Sequence, residues 1–196
     1  MYRIIDNIES FTGELLAREM VLLPRWRHDV VMRYKFEGGR RESTLAFRLL
    51  QQMLAEHYPH VDASNVEFEV GEHGKPSLLH HPEIHFNLSH CKYAVACAVA
   101  DSPVGIDIEC RGRYKHDLAA YCMSESEVRW IESEDTDMRF TLLWTKKEAL
   151  LKLLGTGITD DIKTILERYS DGIHFEVVTS DNYVCTIASK ECSVAK

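Results

Sequence analysis

The sequence predicts an α+β chain in which two related lobes each pack a small antiparallel sheet against helices. Three observations carry that expectation. Residues 41–58, RESTLAFRLLQQMLAEHY, and 138–154, MRFTLLWTKKEALLKLL, space their apolar side chains as helices do. Short apolar or alternating runs bounded by turn residues stand between and after them and read as strands. Finally, IHF followed by a tyrosine and an alternating run occurs twice, at Ile84–Ala98 and Ile173–Ala188. Tyr93 and Tyr183 then mark corresponding places in two halves that meet near residue 101, giving lobes 1–101 and 102–196. A chain of 196 residues is long enough to hold both.

Taken in order, the N-terminal MYRIIDNIESFTGELLAREM has acids where a signal peptide would have a basic region. No apolar run reaches the ~18 residues of a membrane span. The expectation is a cytoplasmic protein without a membrane partner. From Arg25 to Arg48 the chain is rich in basic residues (Arg25, Arg27, Arg33, Lys35, Arg40, Arg41, Arg48), enough to receive a small polyanion. The net charge of −8 nevertheless argues against nucleic acid. The helix over 41–58 ends before Pro59, where the ring disfavours a preceding helical residue. Val66–Val70 alternates as a short strand, and a turn containing GKP (Gly74–Pro76) follows.

The segment LLHHPEIH invites a zinc reading. The spacing of His80, His81, His85 and His90 fits no closed zinc motif, however, and no CxxC pair assists. The first two therefore read as loop histidines. IHFNLSH leads into YAVACAVA, and DSP (Asp101–Pro103) leads into VGIDIE, so the last two runs read as a hairpin. The acidic run Glu125–Asp137 reads as solvated surface. The helix over 138–154 stops at GTG (Gly155–Gly157), and Ile173–Ser189 reads as a further hairpin. The six cysteines lie partly within apolar strand-like runs and read as reduced, mostly buried thiols.

Chemistry enters with VGIDIE. In a strand Gly105, Asp107 and Glu109 share one face, and two neighbouring carboxylates there need a cation, a basic cluster or water. On a wheel of the last long helix, Thr141, Thr145, Glu148 and Lys152 form a narrow polar sector between two apolar arcs. Alone, Glu148 and Lys152 are an ordinary i,i+4 pair. Together with Asp107 and Glu109 they make an all-oxygen site suited to Mg²⁺, with Lys152 placed for a phosphate on the metal. Ser89 and His90 lie just before the strand leading there and can donate to the same phosphate. As a nucleophile and its base they fail, because adjacent side chains on a strand point apart.

The set GKP (74–76), FNLSH (86–90), VGIDIE (104–109) and WTKKEALLKLLGTG (144–157) resembles the 4′-phosphopantetheinyl transferases of the Sfp type. The resemblance covers the middle and later half of the chain and rests above all on GIDIE combined with WxxKEAxxKxxG. It implies the two-lobed fold of that family, with coenzyme A between pseudo-symmetric lobes and its pyrophosphate on Mg²⁺ or Mn²⁺. It also implies transfer of the phosphopantetheine arm to a serine of an apo carrier protein, with release of 3′,5′-ADP. By the family's pattern Asp107, Glu109 and Glu148 hold the metal, and Glu148 is the base for the incoming serine, directly or through water. Lys152, His90 and Ser89 meet the phosphates, and Lys75 meets the adenine end. Arg40 and Arg41 compete for the 3′-phosphate, with Arg25 behind them. Both lobes in one chain imply a monomer. Two other readings stay open: a different Mg²⁺-dependent phosphoryl-transfer enzyme, and a non-catalytic module that binds coenzyme A or a carrier protein.

Overall fold

The two long helices form where the apolar spacing places them. In this computed structural model, residues 1–157 and 161–190 are described. Helix α3 (Glu37–His57) begins before residue 41 and ends ahead of Pro59. Helix α6 (Thr136–Leu154) starts on Asp135, whose side chain accepts from the Met138 N–H, and stops at Gly155 in the left-handed conformation (φ 72°). Strands β1 (Tyr2–Asp6), β4 (His85–His90) and β5 (Ala94–Ala100) form one antiparallel sheet in the order β1-β5-β4. Strands β6 (Val104–Cys110), β7 (Ile173–Thr179) and β8 (Tyr183–Lys190) form another in the order β6-β8-β7. Phe68–Val70 (β2) pairs with Pro76–Leu78 (β3) across the GKP turn. Shorter helices fill the connections: α1 (Gly13–Val21), α2 (Arg25–Met32), α4 (His116–Cys122), α5 (Glu125–Glu132) and α7 (Ile165–Tyr169).

The two sheets have one plan. Each opens with an edge strand, passes through a long helix, and returns as a hairpin whose second strand takes the centre. The twice-occurring IHF opens the first strand of each hairpin, and the tyrosine stands at the start of the second.

Alternation along the strands sorts the layers. In β5, Val95, Cys97 and Val99 pack on α3 with Leu49, Leu50 and Met53. Its Ala94, Ala96 and Ala98 face the other way, against Val104, Ile106 and Ile108 of β6 and Cys185 and Ile187 of β8. The opposite face of the second sheet, with Ala188, lies under α6. The order through the molecule is helix, sheet, sheet, helix. One expectation fails here. YAVACAVA and VGIDIE are not a hairpin: β5 pairs with β1 and β4, while β6 pairs with β8. The small alanine face lets the two runs stack across the junction between the lobes instead of pairing edge to edge. Of the six cysteines, five are described and free, and Cys192 lies outside the described residues.

Candidate active site

Gly105 sets how close the acids on β6 and the acid on α6 can come. A Cβ on Gly105 would stand 2.0 Å from the Ala149 carbonyl oxygen and 2.5 Å from the Leu153 nitrogen, so only glycine lets α6 lie on the strand backbone. On its open edge, the Ile106 N–H donates to Asn87 Oδ1 (2.8 Å) and the Ile108 N–H to Ser89 Oγ (3.1 Å). The outward carbonyls take lysines: Val104 O accepts from Lys75 Nζ (3.3 Å) and Ile106 O from Lys152 Nζ (3.2 Å). FNLSH, GKP and the end of α6 thus meet along one strand edge.

Asp107 is buried. Its Oδ1 accepts from Lys152 Nζ at 2.6 Å and from Ser89 Oγ at 2.9 Å. Glu109 is half-buried, held by Arg113 (2.5 Å) and Trp144 Nε1 (3.4 Å). Glu148 faces both. Burial raises its carboxyl above the ordinary range, the Asp107 charge raises it further, Lys152 opposes the shift, and Glu109 adds to it. The three acids are not drawn together as ligands of one ion: among the described residues, the only ligand set converging within 4.8 Å lies elsewhere. Mutual repulsion and the pull of Lys152 and Arg113 account for the separation. The chemistry of the donors still suits a hard divalent cation, since Asp107 Oδ2 and Glu148 Oε1 are both buried with no hydrogen-bond partner.

The other residues expected to contact phosphates or adenine are placed less uniformly. The ammonium of Lys152 has three partners: Ser89, Ile106 O and Asp107. Ser89 is likewise fully engaged. His90 pairs through Nδ1 with Glu42 of α3 at 3.1 Å and stays partly exposed. Lys75 turns its ammonium onto the carbonyls ending α6, at 2.5 Å from Lys152 O, rather than into open space. Arg40 donates to Tyr34 O. Arg41 is largely buried, 3.7 Å from Glu37, and its Nε has no partner. Arg25 is not brought to this site. Arg27 goes inward to Ser43 (2.7 Å), and Arg48 pairs with Glu19, so part of the basic stretch is internal bracing.

Sequence reasoning missed Asn87, Glu42 and Lys147. Lys147 is fully buried on α6. It donates to Cys122 O, Ile162 O, Lys163 O and Glu127 Oε2 (2.8 Å). Its signal was present, since it sits between Phe140, Leu143, Leu150 and Leu151 in the larger apolar arc. Glu127 also closes a capping box with Ser124, so the acidic run is partly structural rather than wholly solvated.

Beside these residues a cleft of about 280 Å³ opens, lined in part by Lys75, Pro76, Asn87, Glu148, Lys152 and Gly157. It draws on both halves and has room for a phosphate-bearing ligand.

Comparison with known proteins adds an independent finding. The family described as "4'-phosphopantetheinyl transferase superfamily" matches residues 103–191, and the one described as "4'-phosphopantetheinyl transferase, N-terminal" matches residues 9–101. The chain is 28% identical to the 4′-phosphopantetheinyl transferase Sfp of Bacillus subtilis (strain 168), over 79% of this chain and 70% of that protein. It is 33% identical to a 4′-phosphopantetheinyl transferase of Bacillus pumilus, over 71% of this chain and 60% of that one. An L-aminoadipate-semialdehyde dehydrogenase-phosphopantetheinyl transferase of Saccharomyces cerevisiae is 29% identical over 80% of this chain and 61% of its own length. Among the described residues, no helix is long and apolar enough to cross a membrane.

Proposed function

The chain belongs to the 4′-phosphopantetheinyl transferase superfamily, in its Sfp type, and from that premise we propose that it moves the 4′-phosphopantetheine group of coenzyme A to a serine hydroxyl of an apo carrier protein, releasing 3′,5′-ADP. The observation that carries this reading is the meeting of Asp107, Glu148 and Lys152 beside Ser89 at one inter-lobe cleft. Asp107, Glu109 and Glu148 would hold Mg²⁺, or Mn²⁺ in its place. When bound, the metal supplies Lewis-acid neutralisation of charge on the pyrophosphate.

The protein's own groups do the rest. Glu148, on α6 facing Asp107 and Glu109, accepts the proton of the attacking serine. His90 and Lys152 offset charge on the phosphates, Lys152 by exchanging one of its present partners. Glu42 on Nδ1 of His90 leaves Nε2 to face the ligand. For the 3′-phosphate, Arg41 is favoured over Arg40, because its buried Nε lacks the partner that Arg40 has in Tyr34 O. Residues 1–101 then form the 3′-phosphate and adenine side, and residues 102–196 the side carrying the acids. Lys75 serves the adenine end by its stem and by fixing the end of α6. A monomer in the cytoplasm fits this reading.

The test is the intact mass of an apo carrier protein incubated with the chain, coenzyme A and Mg²⁺, with EDTA as control. A metal-dependent gain of one phosphopantetheine supports the proposal. Coenzyme A binding without transfer to any of several carriers would turn the reading into that of a binding module. Within the reaction, Glu148→Gln abolishes transfer while weakening coenzyme A binding less than Lys152→Ala does.

A further inference from the structure

Two turns on the N-terminal half bring together a ligand set that spacing along the chain does not reveal. The turn after α3 carries His60 and is closed by the Val61 N–H donating to Tyr58 O at 2.9 Å. The turn after β3 carries His81 and Glu83 on either side of Pro82, closed by the Ile84 N–H donating to His81 O at 3.1 Å. Tyr58, Val61, Leu78 and Ile84 are all buried, so both turns stand on the core. Between them the rings of His60 and His81 lie 5.7 Å apart at 71°, and His81 Nδ1 is 3.3 Å from Glu83 Oε1. One ligand atom from each of the three lies within 4.8 Å of the others. Ligands ~2.0–2.1 Å from a tetrahedral ion are roughly 3.3–3.4 Å apart, so the His81–Glu83 pair is already at that spacing and His60 needs only a side-chain adjustment.

We propose that His60, His81 and Glu83 form a second metal site, specific for zinc-class transition ions, that clamps the turn after α3 to the turn after β3. Two imidazoles and one carboxylate suit Zn²⁺ and disfavour Mg²⁺, which takes oxygen ligands and gives up its water reluctantly. Partial exposure leaves a fourth position for water. The site shares no residue with the cleft, so the two metals are sorted by donor type. Histidines at 80, 81, 85 and 90 suggested no zinc motif because the partner, His60, comes from a separate turn.

The experiment is a calorimetric titration of the full chain with zinc chloride in excess magnesium, added to fill the acids of the cleft on the proposed transferase reading. Wild type is expected to bind one zinc ion and to melt at a higher temperature with it. His60→Ala and His81→Ala should each weaken binding at least tenfold, and Glu83→Gln should weaken it less. Zinc-free melting and magnesium-dependent transfer should stay at wild-type values, because the replaced side chains lie on surface turns. Should a variant fail to fold, zinc K-edge absorption of the wild-type complex decides: two imidazoles in the coordination shell support the site, and sulfur ligation overturns it. Absence of zinc binding, or wild-type affinity in both histidine variants, also overturns it. Because the readouts are zinc affinity and ligation, their failure leaves the transferase reading untouched.

Discussion

At the level of single residues, Glu148 and Lys147 are neighbours on α6 with opposite energetic roles. Glu148 is a carboxyl whose folded pKa lies above its unfolded value, because burial and Asp107 disfavour its charge. Between the ordinary carboxylate value and that raised one, the folded chain binds more protons than the unfolded chain, so this group's contribution to stability falls as pH rises through the window. Glu148→Gln removes the penalty. In EDTA-treated protein the variant should equal wild type in acid and melt at a higher temperature than wild type near pH 7, while transfer is lost; thermal scans across pH check this, and a gap that closed toward neutral pH would refute it. Lys147 does the reverse. Its four acceptors tie α6 to Cys122, Glu127, Ile162 and Lys163, and Lys147→Met would leave the three carbonyls without their donor and the Glu127 carboxylate without its counter-charge. The expected cost is about 3–5 kcal/mol, read from urea denaturation.

At the level of elements, β6 is held by what surrounds it more than by its own propensity. One edge pairs with β8; the other is satisfied by Asn87, Ser89, Lys75 and Lys152. Asn87→Ala leaves the buried Ile106 N–H without an acceptor and should destabilise by about 1–3 kcal/mol. Gly105→Ala should cost at least as much, because the added methyl meets helix backbone that cannot turn aside. Its transfer rate should fall even at temperatures where the variant is folded, since Asp107 and Glu109 ride on β6 and Glu148 and Lys152 on α6. Circular dichroism for folding and single-turnover assays for transfer separate the two effects. The motifs were legible in the sequence because their residues are chemically unusual for a strand and a buried helix. Their job as caps of a strand edge was not legible, since it depends on which backbone groups β8 leaves free. That Asp107 and Glu148 would be buried in want of partners was legible from the strand and helix patterns, whereas the pairing of Glu109 with Arg113 and of His90 with Glu42 is a matter of tertiary placement.

At the level of the whole molecule, the two halves were legible from the repeated IHF hairpin, and the way they join was not. YAVACAVA followed by a short turn and VGIDIE has the local form of a hairpin; what decides against it is that β1 and β4 already occupy both edges of β5. The alanines then have a different purpose. Ala94, Ala96 and Ala98 are fully buried at the junction, where their small size sets the spacing between the two sheets. That spacing fixes how β4, with Ser89 and His90, approaches β6 and α6. Ala96→Val should therefore do more than overpack a core. Its stability cost is expected at about 1–3 kcal/mol. Val95→Ala, on the α3 face of the same strand, should cost a comparable amount by opening a cavity. The two should part in catalysis: Val95→Ala keeps near-normal transfer when folded, while Ala96→Val loses it along with coenzyme A affinity. Equal transfer rates in the two variants at matched fraction folded would mean that the cleft does not depend on how the lobes are spaced.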